Sequence, residues 1–174
     1  MKNILVILGC CIGSFCFAQN SKSVKKNRSS YRERNSYNET LDSARHYYLL
    51  AWDAYKKGDF GAARYYWERG ANCNSNIPSR YSCAFRLGLM NQNGEGIGIN
   101  YGNAFYYYNL AYANGQSVGD FEATKVIAAY YENGLFVMPD YRKALEWYQK
   151  AKKQGNKYCD DDIARIKQKI AQNS

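Results

Sequence analysis

The stretch Asn133–Gly155, NGLFVMPDYRKALEWYQKAKKQG, decides how the rest of the chain is read. It opens on Asn-Gly, a turn signal, and places Asp140 directly before a run of strong helix formers, where a carboxylate caps a helix. Laid over the chain, it returns twice. Asp140-Tyr141-Arg142-Lys143-Ala144-Leu145-Glu146-Trp147-Tyr148 aligns, 40 residues back, with Asn100-Tyr101-Gly102-Asn103-Ala104-Phe105-Tyr106-Tyr107-Tyr108. A further 41 back it aligns with Asp59-Phe60-Gly61-Ala62-Ala63-Arg64-Tyr65-Tyr66-Trp67. The upstream halves match as well: Ala84, Leu87 and Gly88 with Thr124, Ile127 and Ala128, then Asn93-Gly94 with Asn133-Gly134. Each unit reads as helix, glycine turn, helix, and a period near forty marks a stacked-helix array.

The repeated positions have physical roles. Ala51, Gly88 and Ala128 share one register on the first helices, and Ala63, Ala104 and Ala144 share one on the second, so paired axes can approach closely. Gly58, Gly94 and Gly134 stand where a first helix must end in the left-handed region. Asp59, Asn100 and Asp140 are expected as N-caps, each worth about 1 kcal/mol against Ala. The aromatics Trp67, Tyr108 and Tyr148 read as filling between hairpins. Asp160-Asp161-Asp162 opens a last helix with Ile163, Ile166 and Ile170 on one side, a cap of the kind repeat arrays need.

The unit from Asn133 to Gly155 resembles a Sel-one-like repeat, a branch of the tetratricopeptide class, through Val137, Asp140, Lys143, Ala144, Trp147, Tyr148, Lys150 and Ala151. The second unit is a weaker copy, and the first, with a turn about four residues shorter, is nearer a plain tetratricopeptide hairpin. The resemblance runs from about Ala44 to Gly155. The expected fold is all-α: a short α-α solenoid of about three helical hairpins, at roughly 41–73, 81–115 and 121–155, closed by a capping helix at 160–172.

With 174 residues and 20.0 kDa, the chain has room for one such domain over 40–173. Its +9 charge is uneven: residues 19–40 hold six Lys/Arg against two Glu, and residues 41–174 hold seventeen against thirteen acids. The basic excess therefore concentrates in a polar stretch, read as a solvated spacer (19–39) that can touch an anionic envelope surface. No nucleic-acid partner is expected. Ahead of it, Lys2, an apolar run from Ile4 to Phe17 and Cys16-Phe17-Ala18 form a secretory signal peptide (1–18), too short to span a membrane. Export to the periplasm or outside the cell is the expectation; a lipid anchor through Cys10 ranks second because Cys11–Phe17 would follow it as a hydrophobic tether. Cleavage leaves Cys73, Cys83 and Cys159, one pair and a leftover thiol. A disulfide between Cys73 and Cys83 is expected, since the ten-residue span through Pro78 lets the chain double back.

Motifs that suggest chemistry lack their contexts. Gly115-Gln116-Ser117-Val118-Gly119 fits a hydrolase nucleophile pattern but sits after a helix where a strand is required, and His46 is the only histidine. Ser23-Val24-Lys25-Lys26 lies in the basic spacer without the partner motifs of penicillin-recognising enzymes. The three cysteines and His46 have none of the compact spacings of a zinc site. No catalytic residue, metal or cofactor is expected.

What the resemblance implies instead is a concave groove lined by first helices. It would take Arg45, Tyr48, Trp52 and Tyr55 from the first unit; Ser82, Phe85, Leu89 and Gln92 from the second; and Glu122, Lys125 and Glu132 from the third. The expected function is a protein- or peptide-binding scaffold, with a small-molecule or glycan binder or hydrolase as the alternative.

Overall fold

The computed structural model of the protein describes residues 43–74, 77–112 and 121–173, all within Thr40–Ser174. The signal peptide, the basic spacer and the Ser117 motif lie outside these residues. The described residues are helical, with no strand: α1 (43–56), α2 (Phe60–Ala71), α3 (Pro78–Asn93), α4 (Tyr101–Tyr112), α5 (Phe121–Asn133), α6 (Tyr141–Lys153) and α7 (Cys159–Gln172). Each helix from α2 onward packs on the next in chain order. The result is the expected hairpin solenoid. None of these helices is long and apolar enough to cross a membrane.

The turns repeat as the sequence predicts. Gly58, Gly94 and Gly134 have φ of 77°, 73° and 68°. The side chains of Asp59, Asn100 and Asp140 accept hydrogen bonds at 2.9 Å from the backbone N–H of Ala62, Asn103 and Lys143, three residues into α2, α4 and α6. In the two longer turns the cap residue is also tied back to its own first helix: Asn100 N–H donates to Asn91 and Asp140 N–H to Tyr131, both at 2.8 Å. In the shorter first turn Asp59 N–H instead reaches Ala54 at 3.0 Å.

One turn residue breaks the pattern. Where the second unit has Gly96 at φ 73°, the third has Phe136 at φ 64°. A bulky residue there costs on the order of 1–2 kcal/mol. The compensation is packing: the Phe136 ring lies over Gly102, where an added Cβ would meet it at 2.9 Å, and 6.1 Å from the Phe105 ring. At the preceding junction the roles are exchanged, with Gly96 lying over the Phe60 side chain.

Inside, the small residues and the second-helix aromatics interlock. Ala51, Ala63, Ala104, Ala128 and Ala144 are fully buried, as are Trp67 and Tyr108, with Tyr148 nearly so. Gly88 admits no side chain, because a Cβ there would stand 2.5 Å from the Tyr108 ring.

The far end is closed by α7, whose Ile166 is buried with Ile163 and Ile170 beside it against α6 and α5 residues. A charged cluster fixes its angle. Arg165 donates to both Glu132 carboxylate oxygens at 2.9 Å, Lys169 to one at 2.8 Å, and the Tyr148 hydroxyl to the other at 2.8 Å. Asp162 joins through Arg165 at 2.8 Å and Lys125 at 2.9 Å. The Arg165 guanidinium above all, with Lys169 and Tyr148, outweighs burial and holds the Glu132 carboxyl down at about 2 against an ordinary 4.5. A depressed folded-state value stabilises the fold above the unfolded-state value and loses that contribution as pH falls through the folded one. The difference corresponds to about 3 kcal/mol, present above roughly pH 4.5 and gone near pH 2. Glu132→Gln should therefore cost about 2–3 kcal/mol in urea unfolding at pH 7, with the gap to the unmodified chain closing as pH falls from 4.5 to 2. A gap independent of pH would show that the ionised carboxylate does not hold α7.

Candidate functional site

The candidate groove divides into two halves of different character. On α1 and α3, Tyr48, Trp52, Tyr55 and Phe85 are half-buried: each packs one side on the core cluster around Ala51, Trp67 and Leu87. Trp52 and Tyr55, three apart on one helix face, stack at 5.6 Å with their planes 9° apart. Trp67 lies behind both, 6.5 Å from Trp52 and 5.5 Å from Tyr55. The Arg86 guanidinium sits 4.5 Å from the Trp52 ring centre, a cation–π contact that ties α3 to α1. Phe85, next to it in sequence, reaches the Tyr108 ring at 5.6 Å. The structure thus brings Trp52, Tyr55 and Arg86 together, with Phe85 on the adjoining helix. Arg45 is exposed in the first turns of α1, away from these ring contacts.

Tyr55 adds a polar rim. Burial first, then the neighbouring Glu95 carboxylate, raises its phenol above the usual range. Leu89 packs into the next cluster, with Tyr108, Ile127 and Tyr130. Gln92 faces inward: its side-chain oxygen accepts from the Tyr108 hydroxyl at 3.1 Å and the Tyr130 hydroxyl at 3.2 Å. Its carbonyl is thus committed to the interior.

At the third unit the expected groove charges are taken up within the chain. Glu132 is 6% exposed and clamped beneath α7, so it is not a groove-lining side chain, and Lys125 is paired with Asp162 of the same helix. The physical reason is stacking: α7 follows α6 as another first helix would, and covers the α5 face that the repeat register alone leaves open. Glu122 remains exposed. The open part of the candidate groove therefore lies on α1 and α3.

Two features were not among the sequence candidates. Arg86 lies four residues after Ser82 and three before Leu89, so helical spacing already puts it at the edge of their face. An apolar edge along the two longer turns, with Ile99 59%, Phe136 68% and Met138 86% exposed, also went unread, although Gly96 and Phe136 align in the repeat. Cys73 and Cys83 stand as free thiols, and Cys159 is buried separately in the cluster around Ala144 and Tyr148. Among the described residues, no three His, Cys, Asp or Glu side chains converge as a metal site would require.

This geometry has relatives. A family profile described as Sel1 repeat matches residues 44–75, 82–116 and 126–156, more than half of the chain and in register with the three hairpins. Among solved structures, the crystal structure of a Sel1 repeat protein from Oxalobacter formigenes is similar at 25% identity and a TM-score of 0.59, over 77% of this chain and 98% of that one. No curated protein matches it. With three profile matches laid on three helical hairpins, the chain belongs to the Sel1 repeat family.

Proposed function

We propose that this protein is an exported scaffold that binds a protein or peptide through the α1–α3 face, working by contact and not by catalysis. The observation that carries the reading is the half-buried aromatic group Tyr48, Trp52, Tyr55 and Phe85 with Arg86 stacked on Trp52. Trp, Tyr and Arg are the side chains that most often dominate binding energy when a partner covers them. Here they are held by the core on one side, so little rotamer freedom remains to be lost on binding. The Arg86 charge at one edge and the Tyr55–Glu95 contact at another favour an extended segment with an apolar anchor and polar ends. Membership in a repeat family built of stacked hairpins supports the scaffold reading at the level of fold.

Export rests on Lys2, the apolar run Ile4–Phe17 and Ala18. Intact mass of the protein recovered from outside the cytoplasm should correspond to a chain beginning at Gln19. A lipid-modified species beginning at Cys10 would replace this reading by surface anchoring.

For the binding face, partners captured from envelope extract and identified by mass spectrometry should be retained by the unmodified chain. Trp52→Ala and Phe85→Ala should each weaken the purified interaction by about 1–3 kcal/mol. Arg86→Ala should weaken it while lowering stability by no more than the about 0.5–1 kcal/mol of its contact with Trp52. If all three variants lower stability and leave affinity untouched, the aromatics serve the core alone and the binding face lies elsewhere.

A further inference from the structure

The end of α2 and the start of α3 place two sulfurs against one peptide unit. The Cys73 thiol donates to the Arg69 carbonyl at 3.3 Å, and its backbone N–H reaches the Gly70 carbonyl at 3.3 Å. From the other helix, the fully buried Cys83 sulfur lies flush against Gly70: a Cβ built on that residue would stand 2.4 Å from it. Any side chain at position 70 would push Cys83 away, so the glycine is what lets its thiol settle on the same Arg69–Gly70 peptide that Cys73 touches. Cys73 is half-buried and also lies 3.5 Å from the Ser43 hydroxyl of α1. One thiol is thus reachable from outside and the other is shielded.

We propose that Cys73 and Cys83 are a redox pair that closes to an intramolecular disulfide, stapling the first hairpin to the second in the presence of a disulfide-bearing oxidant. In the first step the Cys73 thiolate attacks one sulfur of the oxidant's S–S bond, forming a mixed disulfide and releasing the other sulfur as a thiolate. In the second, the Cys83 thiolate attacks the Cys73 sulfur, forming the internal S–S bond and expelling the remaining half of the oxidant. Two electrons and two protons pass from the cysteines to the oxidant, which leaves as two thiols. The order follows from access, and from the burial that pushes the Cys83 thiol up to about 12, with the nearby Cys73 adding to the effect. The bond joins α2 to α3 beside the junction that carries Trp52 and Phe85.

The test incubates the purified full chain with glutathione disulfide and maps thiols by non-reducing proteolysis and mass spectrometry. A 73–83 linked peptide should appear, with a rise in melting temperature of about 5–10 °C that dithiothreitol reverses. Cys73→Ser should abolish both. Cys83→Ala should instead accumulate a glutathione adduct on Cys73, and should that variant fail to fold, mapping of the unmutated chain still decides. Free thiols at 73 and 83 after oxidation, a lasting adduct on Cys73 of the unmutated chain, or a link from either to Cys159 would overturn the proposal.

Discussion

Each hairpin depends on one arrangement: an aromatic ring from the second helix driven against a small residue on the first, with a first-helix side chain one turn on to meet its outer end. In the second unit Tyr108 lies on Gly88 and its hydroxyl reaches Gln92. In the third, Tyr148 occupies the position of Tyr108 and Glu132 that of Gln92. In the first, Trp67 takes the ring position and meets Tyr55, a ring in place of the acceptor. Burying a large ring stabilises by roughly 1.5–3 kcal/mol, but an orphaned buried hydroxyl would cost a comparable amount. In the second and third units the acceptor is therefore as necessary as the ring, whereas the first leaves the buried Trp67 indole N–H without a hydrogen-bond partner among the described residues.

That acceptor also links one hairpin to the next. Gln92 takes a second hydrogen bond from Tyr130 of α5, and Glu132 takes Arg165 and Lys169 of α7. The position thus couples the hairpins into a column, and it strengthens toward the end, where an ionised carboxylate meets two cations. In the first unit the same position is aromatic, and there the column keeps a half-buried face, Tyr55 and Trp52, with Arg86 laid over it. The difference between an acceptor that closes the stack and a ring that leaves a face open gives the chain its asymmetry.

The features legible in the sequence were those governed by local physics. Gly94 and Gly134 announce a left-handed turn, Asn100 and Asp140 a cap, and Tyr108 and Tyr148 a buried ring, because each obeys constraints set within a few residues. The groove was less legible. Lys125 shares the register of Phe85, and only the docking of α7 pairs it with Asp162. Glu132 holds the position of Gln92, whose inward role shows only when the Tyr108 and Tyr148 hydroxyls are seen to reach it. Arg86 was within reach of helical spacing but needed the distance to Trp52 on another helix to gain a role. Phe136 hid for a different reason: a bulky residue in a glycine conformation goes against local preference, and its packing over Gly102 becomes visible only in the folded chain.

If the ring and acceptor are the unit of stability, their contributions must be coupled. The direct measurement is a double-mutant cycle in urea unfolding, with Gln92→Leu and Tyr108→Phe made singly and together. The predicted result is a coupling free energy of about 1 kcal/mol, with the double variant less destabilised than the sum of the singles, because Gln92→Leu alone strands the buried Tyr108 hydroxyl and that cost vanishes once position 108 is Phe. Additive losses, within about 0.3 kcal/mol, would contradict the account and reduce the hydroxyl contact to an incidental neighbour of a ring held by shape alone.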